Sequence, residues 1–231
     1  MQLRPATTAD LEVIADVHLA SRHAAGEAFP PSVHTPDEVR GWVRTWDLTT
    51  YDVWLAQSAD RVVGYARCTT TWLDDLYLLP EAQGRGVGSA LLDRVKEERP
   101  AGFGLWVFES NLPARDFYRR RGFVELEHTD GSANDERAPD IKMVWPGSTP
   151  LACFRSLIDD VDLVLGDVLA RRAALTRAIQ AVKPSTRRDA TREAEVARRV
   201  AAIAPELGQE RVARIVEVIV TESLDAARHS S

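Results

Sequence analysis

The sequence predicts two domains of different class. Residues 1–147 are expected to form an α/β domain with a mixed central sheet and flanking helices, and residues 148–231 an all-helical domain. The chain of 231 residues is long enough for two domains. All six tryptophans and eleven of the thirteen glycines lie in the first 150 residues. Runs typical of strands also occur only there, whereas a long heptad repeat follows.

Composition excludes several classes of protein. Apolar residues make up 45% of the chain and charged residues 28%, which is enough for real cores and excludes a disordered chain. No apolar run reaches the length of a membrane span and no secretory signal is visible, so we expect a cytoplasmic protein without a membrane partner. The net charge is −6, and neither half has the basic excess of a nucleic-acid-binding protein. The two cysteines are expected to stay reduced, and no metal site is expected from the spacing of the five histidines.

The α/β domain is predicted to open with a short strand at Leu3 and two helices. Capping residues at 7–10 precede apolar positions spaced by three and four, which indicates an amphipathic helix. A second helix is predicted to begin at 35–38 and to continue to Trp46. Two β-rich runs, 51–56 and 61–67, are separated by a turn sequence and predict an antiparallel hairpin. Further strands are predicted at 72–79, 105–108 and 141–145.

A glycine-rich segment follows the strand predicted at 72–79 and precedes a helix with periodic apolar residues. Its sequence is Gln83-Gly84-Arg85-Gly86-Val87-Gly88-Ser89. Glycines allow a tight turn that leaves backbone amides pointing outward, so the segment predicts an anion cradle at a helix N-terminus. A nucleotide-hydrolase loop would need Lys-Ser/Thr after the last glycine, and a dinucleotide fingerprint would need GxGxxG. The sequence has neither.

QGRGVG resembles the QxxGxG pyrophosphate loop of the GNAT acetyltransferases, which bind acetyl-CoA. The order of elements and the downstream segment ESNLPARDFYRRRGF are also similar to that family, over about 145 residues. The resemblance implies that the backbone of residues 83–89 holds the CoA pyrophosphate. It also implies main-chain hydrogen bonds from Leu78 beside the acetyl or pantetheine part, and a contact from Asn111 to the pantetheine arm.

The resemblance further implies that Tyr118 is the general acid for the departing thiolate, a role that suits a phenol within reach of sulfur. A base for the acceptor amine is harder to assign. Glu109 follows a strand, and Asp74 and Asp75 lie within the preceding one, so all three could face a cleft between diverging strands. We take Glu109 as the candidate base, with a capping or surface role as its alternative. Nothing in this half identifies the acceptor.

The second domain follows a linker, WPGSTP at 145–150. From Phe154 to Val182 the core-pointing positions step alternately by four and three, which predicts a helix of about 32 residues with a heptad seam. Such a helix is nearly 50 Å long and needs a partner helix, most simply from a second copy of the chain.

The seam contains Arg172, and a guanidinium in an apolar seam is costly unless paired. Two further apolar stripes carry Glu193 and Ser223. The three polar residues, Arg172, Glu193 and Ser223, are therefore expected to converge on a polar pocket. Lys183 shares the face of Arg172, whereas Arg155 is rotated about 100° away and is expected to serve the pocket of the second copy.

Residues 151–228 are similar to the all-helical (type II) chorismate mutases. That family consists of intertwined homodimers of three-helix protomers that convert chorismate to prephenate without a cofactor. The matching functional positions are Arg155, Arg172, Lys183, Asp189, Arg192, Glu193 and Ser223. The resemblance implies that Arg172 and Arg155 of the other chain bind the two carboxylates and that Lys183 contacts the ether oxygen. It implies that Asp189 and Glu193 hold the substrate hydroxyl and orient the cationic side chains. It also implies that Arg192 and Ser223 form the rest of the pocket wall.

One position departs from this family. Four residues after the serine the family commonly has Gln or Glu as a second donor to the ether oxygen, and here the residue is Ala227. Loss of such a donor typically lowers the rate 100- to 1000-fold. The sequence therefore leaves open a slow mutase, a mutase for an amino-substituted chorismate, and a dimerisation or ligand-sensing module attached to an active acetyltransferase. It also leaves open a first half that binds acetyl-CoA without transferring the acetyl group.

Overall fold

The computed structural model describes residues 1–182 and 188–228, and the chain divides into two units, Met1–Arg155 and Ser156–Ser231. Each unit is described by itself. In the described residues, no helix combines the length and the apolar character that crossing a membrane requires. Cys68 is buried and Cys153 is partly buried, and both carry free thiols.

Four antiparallel strands form the first sheet, in the order β1-β2-β3-β4. They are β1 (Gln2–Pro5), β2 (Asp52–Ser58), β3 (Arg61–Cys68) and β4 (Leu73–Leu78). The predicted hairpin is confirmed, since β2 pairs with β3 with Leu55 opposite Tyr65. Successive side chains of a strand point to opposite faces, so β2, β3 and β4 each contribute to two separate cores.

Three strands form the second sheet, in the order β5-β7-β6. They are β5 (Phe103–Phe108), β6 (Val124–His128) and β7 (Asp140–Trp145). The two sheets meet through a single parallel bridge between Trp72 and Gly104, beside which the Gly104 amide donates to the Thr71 carbonyl at 2.9 Å. Beyond this bridge β4 and β5 no longer pair, which opens a gap between them. A Cβ at Gly104 would lie 3.0 Å from the Trp72 ring, so glycine permits the close approach.

Helices cover both faces of the sheets. The helices are α1 (Leu11–Ala25), α2 (Pro36–Arg44), α3 (Val87–Glu98) and α4 (Leu112–Arg119). Side chains of α1 and α2 pack with Leu55 and Tyr65 in one core, whereas those of α3 and α4 pack with Ala66 and Leu105 in the other. The two helices predicted before the hairpin are therefore present, and α2 ends at Arg44, two residues before its predicted limit at Trp46.

The second unit is helical. It contains α5 (Pro150–Val182) from Ser156 onward, together with α6 (Ala190–Ile203) and α7 (Gln209–Arg228). A small core of Ala197, Val212 and Val216 holds α6 against α7. None of the 33 residues of α5 is buried, and seam residues such as Val161 and Leu165 are 65% and 48% exposed. The long predicted helix is confirmed, and its apolar seam lies open in the single chain.

Candidate functional sites

The glycine loop leads directly into the N-terminus of α3. Gly84 and Gly86 have φ values of +69° and +82°, and Gly86 is the residue that precedes the first helical position. A Cβ would meet nothing within 4 Å at either position, so glycine is needed there for its backbone conformation and not for space. The first amides of α3 have no carbonyl partner within the helix, and residues 83–86 are exposed. This arrangement suits an anion.

Leu78 lies at the end of β4, next to this loop. Its backbone carbonyl accepts a 2.7 Å hydrogen bond from the Ser21 hydroxyl and a 3.5 Å one from the Gln83 side chain. Gly88 lies against the same residue, since a Cβ there would come within 3.1 Å of the Leu78 side chain. The third glycine therefore lets α3 pack closely on the last residue of β4.

A cavity of about 230 Å³ lies in the gap where β4 and β5 separate. Asn111 and Tyr118 line it from α4. The Asn111 side-chain carbonyl caps α4 by accepting from the Ala114 amide at 3.2 Å. Tyr118 is 8% exposed, and its burial raises the pKa of the phenol well above its usual range. At neutral pH Tyr118 is therefore a proton donor and not a phenolate.

A larger cavity, of about 1390 Å³, lies between α1, α2 and the loop that joins them. Five residues line both this cavity and the smaller one: Arg22, Phe29, Asp75, Tyr77 and Glu136. The two cavities therefore meet at these side chains. A group held in the gap between the strands and a molecule in the larger cavity can approach each other there.

Asp75 is the buried carboxylate at this meeting point. Its Oδ2 accepts a 2.5 Å hydrogen bond from Nε of Arg67, which lies opposite it on β3. Aromatic rings surround the Arg67 guanidinium, with the Trp46 ring 4.4 Å and the Tyr51 ring 4.7 Å away. Burial raises the pKa of Asp75 and the Arg67 charge opposes that shift. Sequence reasoning did not find the Arg67 partner, although the cross-strand register could have indicated it.

The structure places the other candidate carboxylates differently. Glu109 is exposed and lines neither cavity, and its backbone carbonyl accepts from Arg115 at 3.0 Å. Asp74 lines only the smaller cavity. Asp75 alone among the three lies where the cavities join.

His18 forms part of the wall of the larger cavity. It is 5% exposed, and its Nδ1 lies 2.9 Å from the Tyr65 hydroxyl. Its ring packs against Tyr77 with the centroids 4.5 Å apart. Burial lowers the pKa of His18 to about 4, so the ring is neutral at pH 7.

In the helical unit, Arg172 of α5 contacts α7. Its Nη1 donates to the Ser223 hydroxyl at 2.7 Å and to the Ile219 carbonyl at 3.2 Å. Ser223 is buried, and its hydroxyl donates to the same Ile219 carbonyl at 2.6 Å. The structure therefore brings together two of the residues that the sequence placed on separate apolar stripes.

Glu193 is held by an arginine that the sequence analysis did not select. Arg188 donates to both Glu193 carboxylate oxygens, at 2.9 and 2.5 Å, and to the Thr221 hydroxyl of α7 at 3.1 Å. These bonds hold the pKa of the Glu193 carboxyl below its usual range, and the charge of Arg172 acts in the same direction. Thr221 cannot be linked to Arg188 by any local sequence pattern, since 33 residues separate them.

The remaining predicted residues are more scattered. Asp189 caps α6 by accepting from the Arg192 amide at 3.0 Å, and the Arg192 guanidinium pairs with Glu195 at 2.7 Å on the helix surface. Arg155 is exposed on α5. Ala227 is buried one turn beyond Ser223. The predicted residue Lys183 lies outside the described residues.

Two family models match the chain. Residues 49–125 match the acetyltransferase (GNAT) domain, and residues 154–228 match chorismate mutase type II. The order of the matches is the order predicted from the sequence.

Individual proteins with similarity are N-acetyltransferases. The probable N-acetyltransferase Rv2775 of Mycobacterium tuberculosis is 32% identical over 89 residues, which are 35% of this chain and 49% of that protein. The chain thus spans about half the length of this relative. The peptidyl-lysine N-acetyltransferase YiaC of Escherichia coli is 29% identical over 106 residues, 45% of this chain and 70% of that protein.

A solved structure shares the fold of the first unit. A GNAT superfamily phosphinothricin acetyltransferase of Sinorhizobium meliloti, in complex with AcCoA, gives a TM-score of 0.51 at 21% identity. The similarity covers 65% of this chain and 90% of that one.

Proposed function

We propose that this chain, which contains a GNAT acetyltransferase domain followed by a type II chorismate mutase domain, catalyses two reactions. The first half transfers an acetyl group from acetyl-CoA to an amine. The second half rearranges chorismate to prephenate as a homodimer and uses no cofactor. We place the boundary between the two domains in the segment 146–149, between β7 and α5.

The loop between β4 and α3 fits the pyrophosphate of acetyl-CoA. Its exposed backbone, two left-handed glycines and open helix N-terminus together form an anion cradle. The residues that would hold the co-substrate are Leu78, Gln83, Gly84, Arg85, Gly86, Val87, Gly88, Ser89 and Asn111. Because the Asn111 carbonyl caps α4, its amide group is the part left to contact the pantetheine arm. Acetyl-CoA supplies an activated acyl group to be attacked by an amine.

The joined cavities carry the proposal for acetyl transfer. The amine attacks the thioester carbonyl, the C–S bond breaks, and the sulfur receives the Tyr118 proton. The proton lost by the amine needs a base, for which Glu109 and Asp75 are the candidates. Asp75 lines both cavities and Glu109 lines neither, which favours Asp75. The E. coli relative is named for peptidyl-lysine, so lysine peptides are the first acceptors to test.

The contact between Arg172 and Ser223 carries the proposal for the mutase. A pericyclic rearrangement needs neither a nucleophile nor a proton transfer, so the protein contributes by holding the compact substrate and stabilising developing charge. Arg172 and Arg155 of a second copy bind the two carboxylates, since guanidinium matches carboxylate in a bidentate fork. Lys183 serves the ether oxygen, and Asp189, Arg192, Glu193 and Ser223 complete the site.

The open seam of α5 supports a homodimer. Seven seam residues are about half exposed or more: Ile158, Val161, Leu165, Val168, Leu175, Ile179 and Val182. An apolar stripe of this length on a soluble helix is stabilised when another helix covers it. Sedimentation velocity on the full chain should give twice the chain mass.

The mutase proposal is tested by following the loss of chorismate absorbance with the purified full chain. We expect prephenate to form, and Arg172→Ala to abolish its formation while the elution volume of the protein is unchanged. Turnover that survives Arg172→Ala would refute the assignment of this site. No turnover by the wild-type chain would refute mutase activity on chorismate.

Ala227 favours one alternative, in which the helical domain binds a dicarboxylate or a chorismate analogue and regulates the acetyltransferase. This function predicts no prephenate, together with acetylation whose rate changes when chorismate is added. The absorbance assay and an acetylation assay with and without chorismate separate the two functions.

The acetyltransferase proposal is tested in two steps. Acetyl-CoA should raise the melting temperature of the full chain, and free thiol should then be released in the presence of an amine panel that includes lysine peptides. Binding without release for every amine would indicate a domain that retains the co-substrate but has lost transfer.

A further inference from the structure

We propose that Arg121, which lies outside the glycine loop, is an additional ligand of the CoA pyrophosphate. The proposal rests on the proposed function of the first half. Arg121 follows α4, and its guanidinium reaches the first turn of α3. There Nη2 donates to the Ser89 hydroxyl, and Nη1 donates to the Phe117 carbonyl at 3.2 Å.

Arg121 is held in place by its surroundings. The guanidinium stacks on the Phe117 ring with 3.8 Å between the guanidinium carbon and the ring centroid. The same ring borders the glycine loop, since a Cβ at Gly88 would lie 3.5 Å from it. The backbone carbonyl of Arg121 accepts from Lys96 at 2.7 Å. An arginine positioned in this way loses little conformational freedom when it binds a ligand.

The charge of Arg121 lacks an acidic partner among residues 1–182 and 188–228. Two other arginines of this segment do have one, because Arg115 pairs with Glu125 and Arg119 pairs with Asp116, whereas Arg120 is exposed to solvent. The groups that accept from Arg121 are a hydroxyl and a carbonyl, both neutral. Arg121 is nevertheless half-buried, and the second nearby cation, Lys96, adds to the positive charge. A half-buried cation without a counterion is costly, so an anion is expected beside it.

The geometry selects the pyrophosphate as that anion. Ser89 is the third residue of α3 and belongs to the turn whose amides face the cradle. A guanidinium has five N–H donors, and the two bonds to Ser89 and Phe117 leave three for phosphate oxygens. The helix N-terminus supplies only partial positive charge, whereas Arg121 supplies a full charge in a fork that matches phosphate.

Isothermal titration of the full chain with three ligands tests this assignment. The ligands are acetyl-CoA, 3′-dephospho-acetyl-CoA, which keeps the pyrophosphate, and S-acetylpantetheine, which has no phosphate. Arg121→Ala should lower the affinities for acetyl-CoA and 3′-dephospho-acetyl-CoA by about tenfold each. The affinity for S-acetylpantetheine should stay unchanged. Arg121→Lys should recover part of the loss, because it keeps the charge but not the fork. The matched control is Arg120→Ala, which removes the exposed neighbouring arginine and should leave all three affinities unchanged.

An equal loss for all three ligands would mean that Arg121 only supports the fold, and would overturn the assignment. A loss of affinity for acetyl-CoA alone would place Arg121 at the 3′-phosphate and would also overturn the assignment. A loss of affinity no larger than that caused by Arg120→Ala would overturn it as well. The wild-type affinity for acetyl-CoA separately tests the proposed function, since its absence would remove the acetyltransferase itself.

Discussion

The guanidinium of Arg172 donates a 2.7 Å hydrogen bond to the hydroxyl of Ser223, across 51 residues of sequence. Because the Ser223 proton is directed to the Ile219 carbonyl, the oxygen lone pairs are left to accept from Arg172. The bond fixes one edge of the guanidinium and leaves its other donors for a carboxylate. Ser223 thus helps to set where Arg172, the principal cation of the proposed mutase site, lies.

Ser223→Ala should lower the mutase kcat/KM by about 10- to 150-fold, since a hydrogen bond to a charged group contributes about 1.5 to 3 kcal/mol. The loss should appear mainly in KM if Arg172 binds a substrate carboxylate. Initial rates of chorismate loss measure both constants. Glu222→Ala, a change at the adjacent exposed position, is the control and should keep wild-type rates. Wild-type kinetics in Ser223→Ala would show that Arg172 needs no support.

Arg188→Ala should reduce mutase activity and move its pH dependence. Arg188 holds the pKa of Glu193 below the usual range, so its removal lets that pKa rise. As pH falls, the variant should lose the Glu193 carboxylate, and with it activity, at a higher pH than the wild type does. Rate profiles from pH 4 to 8 measure the shift.

The control for Arg188 is Arg171→Ala, which also removes an exposed arginine paired with a carboxylate, here Asp167 at 2.7 Å. It should leave the acidic side of the profile in place. If Arg188→Ala lowers the rate equally at every pH, then Arg188 acts on the fold and not on Glu193.

Ala227→Gln should raise the mutase rate by tenfold or more. The substitution introduces a hydrogen-bond donor one turn beyond Ser223. The type II chorismate mutases, which the second half resembles, commonly have a donor to the ether oxygen at this position. Ala227 is buried, so a lower melting temperature should accompany the gain. Ala227→Leu adds comparable volume without a donor and should give no increase. Equal rates for the two variants would contradict a missing donor at this position.

Tyr118→Phe should slow acetyl transfer by about a hundredfold, because it removes the proton donor for the thiolate. The Tyr118 ring packs against Phe117 and Phe123 at 5.2 Å each, and the variant preserves this packing. The affinity for acetyl-CoA, measured by titration, should therefore stay within about twofold. Tyr51→Phe, outside both cavities, serves as the control. A normal rate of thiol release in Tyr118→Phe would exclude the phenol as the acid.

His18 should make the α/β domain less stable as pH falls from 6.5 to 4. The folded pKa is about 4 and the ordinary value is 6.5, so in this window the unfolded chain binds a proton that the folded chain does not. The free energy of unfolding therefore decreases by up to about 1.4 kcal/mol for each pH unit between 6.5 and 4 as the pH is lowered. Urea unfolding followed by tryptophan fluorescence reports on this domain alone, because all tryptophans lie in it. His18→Gln should flatten the dependence, and an unchanged slope would exclude His18 as its source.

Much of the fold could be predicted because its signals are local. The hairpin predicted at 51–56 and 61–67 is β2 and β3, and the seam predicted from Phe154 to Val182 is α5. Strand β6 is not predicted as a separate element, since all five of its residues are polar or exposed and its strand form depends on pairing with β7. The glycine loop was found because left-handed backbone conformations favour glycine in any context.

What the sequence determined by itself is the order of two domains, most of their secondary structure, and the residue types of the two proposed anion-binding sites. Periodicity and glycine spacing record these features, because each depends on neighbours within a few residues. Only the tertiary structure decided which side chains meet. Arg67 joins Asp75 through strand register, Arg188 joins Glu193 and Thr221, and Arg121 reaches Ser89 from the turn that follows α4. The contacts of Arg121 with Ser89 and of Arg188 with Thr221 span 32 and 33 residues. They form because folding brings distant segments within hydrogen-bond reach, and no local pattern encodes that distance.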